Sequence, residues 1–224
     1  TKQYMKLNKL IDHTLLKATA TLAEIETLCK EAVEYDFYSV CVNSGYVAAA
    51  KKFLAGTDIK VCSVVGFPLG AMSAKAKYFE TGEALADGAD EIDMVLNVGL
   101  IKSGEANKAL EEIIALKRCI GSHRVLKVIL ETCYLTDEEK RLACRLALDA
   151  QADFVKTSTG FGTGGATLAD VKLMKECVQQ KAKVKASGGI RDYETAMQYV
   201  ALGVERIGTS NGIAILKGEK GTGY

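Results

Sequence analysis

The stretch VLKVILETCYLTDEEKRLACRLALDAQADFVKTSTG, residues 125–160, decides the fold. It opens on a short β-branched run, Val125–Leu130, and closes on a second, Asp153–Thr157. Between them the pattern is helical over 137–149, and Thr136 with Glu139 makes a capping-box pair at its start. Strand, helix and strand in that order imply parallel neighbours, because the chain must cross back over the sheet before re-entering it.

Working outward, the same rhythm covers the chain. Strands are expected at Lys9–Leu15, Phe37–Val42, Lys60–Val65, Glu91–Leu96, Lys183–Ala186 and Val204–Gly208. Helices are expected near 22–35, 44–55, 74–87, 104–120, 167–180 and 192–202, with a short one after Ser210. Thr21 with Glu24 repeats the capping box, and Asp192 can accept from first-turn amides. Eight strand–helix units predict an α/β fold, a parallel (β/α)8 TIM barrel, in one domain over 1–224. An open doubly wound sheet needs a glycine fingerprint after its first strand, and IDHTLLKAT has none. Lys2–Leu7 is expected as a short N-terminal helix, and the glycine- and charge-rich tail, about 217–224, as flexible.

Composition narrows the function. The formal net charge is +1, so no global field recruits nucleic acid or an anionic membrane. The first residues carry no apolar signal core, and no run approaches the roughly 20 apolar residues of a membrane span. Seven scattered cysteines without a C-x-x-C spacing argue against a disulfide framework or zinc site, and for reduced thiols in the cytoplasm. Only His13 and His123 are present, so a histidine-rich catalytic metal centre cannot be assembled. No metal and no cofactor are expected.

The active site of a parallel barrel lies at the C-terminal ends of its strands. Lys156 lies there between Val155 and a Thr-Ser-Thr-Gly turn, and Lys185 between Val184 and Ala186. Alternation lets Lys156 point inward with Phe154 and Ser158, and groups Lys183, Lys185 and Ser187. One reading is two lysines whose heads snorkel to the rim. The other is chemical. A Schiff base needs a neutral amine, whereas free lysine has a pKa of about 10.4. A second ammonium about 4 Å away costs on the order of 4 kcal/mol at an effective dielectric near 20. One lysine then reacts while the other stays charged. Asp93 can hold the charged partner and shuttle protons. Asp12 can bind substrate hydroxyls or hold the lysine network. Ser187-Gly188-Gly189-Ile190-Arg191 and Gly208-Thr209-Ser210-Asn211-Gly212 fall where barrel phosphate sites occur, and also read as ordinary tight turns. The turn Thr159–Gly165 is a lid or simply a long loop. Cys41 and His13 read as packing and hydrogen-bonding residues.

Seven motifs then match one family in order. IDHTLL (11–16), SVCVNSGYV (39–47), VVGFPLG (64–70), EIDMVLNVG (91–99), FVKTSTGF (154–161), VKASGGIR (184–191) and GTGY (221–224) resemble the deoxyribose-phosphate aldolases. The resemblance implies that Lys156 forms the Schiff base, that Lys185 perturbs it and transfers protons, and that Asp93 is the acid/base of the relay. It places Thr159, Gly160, Gly188, Gly189, Gly208 and Ser210 around substrate and phosphate, with Arg191 assisting by charge. It assigns Tyr224 to a C-terminal tyrosine that reaches the site. The implied reaction is metal-free, reversible cleavage of 2-deoxy-D-ribose 5-phosphate to D-glyceraldehyde 3-phosphate and acetaldehyde. The implied setting is cytoplasmic deoxynucleoside catabolism by a homo-oligomer, a dimer or tetramer. Without the resemblance, the residues leave open another Schiff-base aldolase or transaldolase, a lysine–aspartate isomerase, and a phosphometabolite-binding protein.

Overall fold

The computed structural model describes residues 7–223. After a 3-10 turn at Leu7–Leu10, eight strands alternate with helices. They run β1 Ile11–Leu15, α1 Leu22–Glu34, β2 Ser39–Val42, α2 Val47–Phe53, β3 Lys60–Val65, α3 Ala74–Ala86 and β4 Glu91–Val95. Then come α4 Val98–Lys102, α5 Ala106–Ile120, β5 Val125–Ile129, α6 Asp137–Asp149, β6 Phe154–Lys156 and α7 Leu168–Val178. The last elements are β7 Lys183–Ser187, α8 Tyr193–Ala201, β8 Arg206–Thr209 and α9 Gly212–Lys217. All neighbouring strands pair in parallel, and β8 pairs with β1, so the sheet closes into the expected eight-stranded barrel.

Side-chain alternation sorts the strands into two environments. One set packs under the helices: Ile11, Val40, Val42, Val61, Ile92, Met94, Leu126, Val128, Val155, Val184, Ala186 and Ile207 belong to one continuous apolar core. The other set fills the barrel, where Cys41, Cys62 and Val64 form a small separate cluster. Asp12, Ser39, Glu91, Asp93, Lys127, Lys156, Lys185 and Arg206 are all buried. Barrel interiors are usually filled by branched apolar residues. This one is charged, which makes its residues the first candidates for chemistry.

The capping signals act as expected. Thr21 and Thr136 each make the full capping box with Glu24 and Glu139, and Asp192 accepts from the Thr195 amide at 2.8 Å. These contacts satisfy amide groups that the first helical turn leaves orphaned. Boundaries differ where turns intervene. The first strand starts at Ile11, because Lys9 and Leu10 close the 3-10 turn. The helix expected over 44–55 opens with a 3-10 turn at Ser44–Tyr46. The Asn97 side chain caps an unexpected short helix, α4, ahead of α5. The helix expected at Lys2–Leu7 lies, except for Leu7, outside the described residues.

One buried ion pair sits between helix and barrel. Lys77 on α3 donates to Glu112 on α5 at 2.8 Å and to the Val95 carbonyl at 2.9 Å. Burial holds the Lys77 ammonium below the ordinary lysine range, with Glu112 opposing. Breaking such a pair from one side leaves a buried charge alone and costs about 3–5 kcal/mol. Glu112→Leu should therefore lower the unfolding free energy read from denaturant titration by that amount, and Lys77→Met combined with Glu112→Leu should regain most of it. A double variant no more stable than Glu112→Leu would show that the loss comes from packing.

Candidate active site

The Asp93 carboxylate, carried inward by β4, is fully buried and is the junction of the site. Its Oδ2 accepts from Lys156 Nζ on β6 at 3.0 Å and from Lys185 Nζ on β7 at 2.8 Å. Lys156 and Lys185 are register partners on adjacent strands, which brings both heads to one oxygen. Oδ1 accepts from Lys127 on β5 at 2.9 Å and from the Cys62 thiol on β3 at 3.2 Å.

A second set of charges supports this one. Lys185 also donates to Asp12 Oδ2 at 2.5 Å, and Lys127 to Glu91 at 2.5 Å. Arg206 on β8 spans Asp12 and Glu91, each at 2.8 Å, and lies over the Tyr38 ring at 3.6 Å. Ser39 completes the shell of Asp12 at 2.6 Å. Inside the barrel three carboxylates, Asp12, Glu91 and Asp93, thus face four basic groups, Lys127, Lys156, Lys185 and Arg206. Lys127 pairs with Glu91, Asp93 and, at 3.7 Å, Asp12, and Lys185 pairs with Asp12 and Asp93. Lys156 has one carboxylate partner and shares that oxygen with Lys185.

The charges fix most protonation states. Burial pushes the Asp93 carboxyl up, but Lys127, Lys185 and Lys156 outweigh it and hold it well below the usual carboxylate range. Burial likewise opposes ionisation of Asp12, and Arg206, Lys185 and Lys127 overcome it. Burial pushes Lys185 down, yet Asp12 and Asp93 hold it above the ordinary lysine range. Cys41, Cys62 and Asp93 bring three donor atoms within 4.8 Å of one another. The ammoniums already bound to that carboxylate oppose a further cation there.

Around the rim, the glycines have different tasks. Gly188 and Gly189 follow β7 with φ of 87° and 80°, consecutive positive values that glycine adopts without strain. Gly208 is instead packed against Lys185: a Cβ there would stand 2.9 Å from Lys185 Cε. Thr159 is buried with its amide and hydroxyl both given to Glu131, at 3.0 and 2.5 Å. Gly160, next in the same turn, has φ 86°. The Arg191 carbonyl accepts from the Gly221 amide at 2.8 Å, and the Asn211 side chain from the Gly223 amide at 2.9 Å. A Cβ on Gly223 would stand 2.2 Å from Ser210 Oγ, so the tail lies directly on the turn after β8. Tyr224 lies outside the described residues. His13 faces away from the barrel interior, bonded to Glu31 at 2.6 Å and packed on Phe37.

Lys127, Glu91 and Arg206 were not singled out from sequence. Lys127 carries the same signal as Lys156, a lysine inside an apolar strand, VLKVIL. Its partners lie on other strands, so only the register shows that it is paired inside.

A family model described as DeoC/LacD family aldolase matches residues 6–218. The chain belongs to this family. It is 58% identical over 219 residues to a deoxyribose-phosphate aldolase of Streptococcus pneumoniae serotype 19F, covering 98% of this chain and 99% of that one. A crystal structure of a putative deoxyribose-phosphate aldolase from Coccidioides immitis superposes with TM-score 0.91 at 41% identity, covering 94% of this chain and 84% of that one. The tetrameric deoxyribose phosphate aldolase of Aeropyrum pernix superposes with TM-score 0.87 at 32% identity, covering 94% and 89%. The DeoC/LacD chain is accordingly an aldolase, a carbon–carbon lyase. Among the described residues no helix is long and apolar enough to cross a membrane.

The charge network makes stability depend on pH at both ends. Asp12 and Asp93 ionise more readily folded than unfolded, where aspartate titrates near about 3.9. Their contribution is present above that pH and is lost as pH falls below it. Lys185 is held above the unfolded value of about 10.4, so its contribution is present below that pH and is lost as pH rises past it. Denaturant midpoints should therefore hold level between about pH 5 and 10 and fall on both sides. Asp93→Asn should flatten the acid limb; an acid limb as steep as wild type would place the titrating carboxylates elsewhere.

Proposed function

We propose that this aldolase reversibly cleaves 2-deoxy-D-ribose 5-phosphate to D-glyceraldehyde 3-phosphate and acetaldehyde through an imine on Lys156. One observation carries the assignment of the nucleophile. Lys156 has a single carboxylate partner and shares it, whereas Lys127 pairs with three acids and Lys185 with two. Three acids match three of the four bases. Lys156 is the base left over, and an amine acts as a nucleophile only when neutral.

The geometry supports the steps that the family resemblance implies. The neutral Lys156 amine adds to the substrate aldehyde, and loss of water gives the imine. Loss of the proton from the hydroxyl on the third carbon breaks the bond between the second and third carbons. That releases D-glyceraldehyde 3-phosphate and leaves an enamine on Lys156. Protonation of the enamine carbon and hydrolysis free acetaldehyde and the amine. Lys185, charged and beside the same Asp93 oxygen, donates protons, and the Asp93 carboxylate receives and returns them. Asp12 holds Lys185 from the other side. Tyr224 is assigned to the enamine carbon proton, on the family resemblance. The Gly221 and Gly223 contacts bring the preceding residues of the tail to the turns after β7 and β8.

The phosphate is assigned to the amides of Gly188 and Gly189 and of the turn through Ser210, with Arg191 adding charge and Thr159 and Gly160 shaping the opposite wall. Successive backbone amides in a tight turn can form an anion-binding concavity. The enzyme works as a homo-oligomer, a dimer or tetramer, in the cytoplasm. The seven free cysteines suit that reducing compartment. Its partners are small aldehydes and phosphosugars, with no cofactor, nucleic acid or membrane.

Product analysis tests the reading. Purified protein given 2-deoxy-D-ribose 5-phosphate should release equal amounts of acetaldehyde and D-glyceraldehyde 3-phosphate. An isomerised sugar phosphate without acetaldehyde, or bound but unchanged substrate, would reject it. A Cβ on Gly189 meets nothing within 4 Å, so a side chain there projects into open space where the anion would sit. Gly189→Val should impair cleavage of 2-deoxyribose 5-phosphate more than that of 2-deoxyribose. Equal losses would move the phosphate elsewhere, or show that valine at this positive φ had distorted the barrel.

A further inference from the structure

Among the described residues, three buried side-chain atoms lack a hydrogen-bond partner: His13 Nδ1, Thr132 Oγ1 and Ser158 Oγ. Leaving a buried hydroxyl unpaired is destabilising, so each such atom asks for a reason. His13 lies on the helix side of β1. Thr132 follows β5, on the side of β6 away from Gly188. Ser158 is placed differently. It stands two residues beyond Lys156, on the same side of the extended chain. Its Cβ lies 3.4 Å from where a Cβ on Gly188 would be. The unpaired hydroxyl therefore lies between the imine lysine and the glycine pair assigned to phosphate.

The backbone that carries this hydroxyl is held on every side. The Ser158 carbonyl accepts from Ser187 Oγ at 2.6 Å. Thr157 Oγ1 donates to the Ser187 carbonyl and accepts from the Ser187 amide, both at 3.1 Å. On the other flank, Thr159 is tied to Glu131 through its amide and hydroxyl. The loop that follows is bound to the same strand end, with the Ala166 amide 3.0 Å from both the Ser187 and Gly188 carbonyls. A fixed backbone holding a buried, unspent hydroxyl is preorganised to pair with a polar group.

We propose that the Ser158 hydroxyl binds the substrate hydroxyl on the carbon next to the phosphate-bearing one, and so selects a hydroxylated acceptor aldehyde. The inference rests on the placement of the imine at Lys156 and of the phosphate at Gly188–Gly189. With those two ends anchored, that carbon lies between them, beside Ser158. A serine hydroxyl can both donate to and accept from such a group. The reaction chemistry remains with Lys156, Lys185 and Asp93.

The test pairs a change in the protein with a change in the substrate. Acetaldehyde is condensed with D-glyceraldehyde 3-phosphate, with 3-phosphooxypropanal, which lacks the hydroxyl, and with D-glyceraldehyde, which lacks the phosphate. Wild type and Ser158→Ala are compared by kcat/KM. Ser158→Ala should lower the value about tenfold for D-glyceraldehyde 3-phosphate and D-glyceraldehyde, as loss of one hydrogen bond does, and leave 3-phosphooxypropanal within about twofold. Each comparison is made between acceptors within one variant, so the folded fraction cancels. Equal losses for the two phosphorylated acceptors would overturn the proposal. A loss confined to phosphorylated acceptors would also overturn it, by moving Ser158 to the phosphate. Absence of any aldol product from wild type would instead reject the substrate reading itself.

Discussion

Two lysine side chains meet one carboxylate oxygen at the centre of this barrel, and the rest of the site is arranged around that sharing. Lys156 and Lys185 both donate to Asp93 Oδ2. A carboxylate so placed cannot satisfy both lysines fully, and the second acid, Asp12, sits against Lys185 and not Lys156. The inequality between the two lysines therefore comes from which neighbours each strand supplies. β1 and β4 together hold Lys185, β4 alone holds Lys156, and the register between β6 and β7 keeps the heads side by side. Lys127 and Arg206, one level deeper, tie up the remaining acid capacity of Glu91, Asp93 and Asp12.

Such an interior contributes little to stability by itself. Desolvating seven ionisable groups offsets much of the attraction among them, and well-packed apolar residues would serve a barrel core at least as well. The apolar layer between strands and helices carries the fold instead: it is continuous from Ile11 to Ile215 and includes the outward face of every strand. That division leaves the barrel interior free to hold charges for chemistry. It also explains Gly208, where an absent side chain makes room for the Lys185 chain.

The barrel was legible because its signals are local. Period-two runs, the capping boxes at Thr21 and Thr136 and the cap at Asp192 need no distant partner, and the structure keeps each of them. Lys156 and Lys185 were legible because each breaks an apolar strand next to a glycine- or threonine-rich turn. Lys127 breaks its strand in the same way but ends in no such turn, and its meaning depends on Glu91 and Asp93, fixed by strand register. Thr159 read as a rim residue facing substrate, yet its polar groups are taken by Glu131, which lies 28 residues earlier. Glu131 itself sits at a positive φ of 55°, a conformation that its residue type does not announce. What sequence missed is in each case a contact between strands or loops distant along the chain.

The central claim is that unequal carboxylate pairing makes Lys156, of three neighbouring lysines, the one that reacts. Borohydride reduction in the presence of acetaldehyde, followed by peptide mapping, measures this directly. A single stable adduct on the peptide carrying Lys156, with Lys127 and Lys185 unmodified, is the predicted result. An adduct on Lys185 or Lys127 would contradict the account, and so would labelling spread over all three.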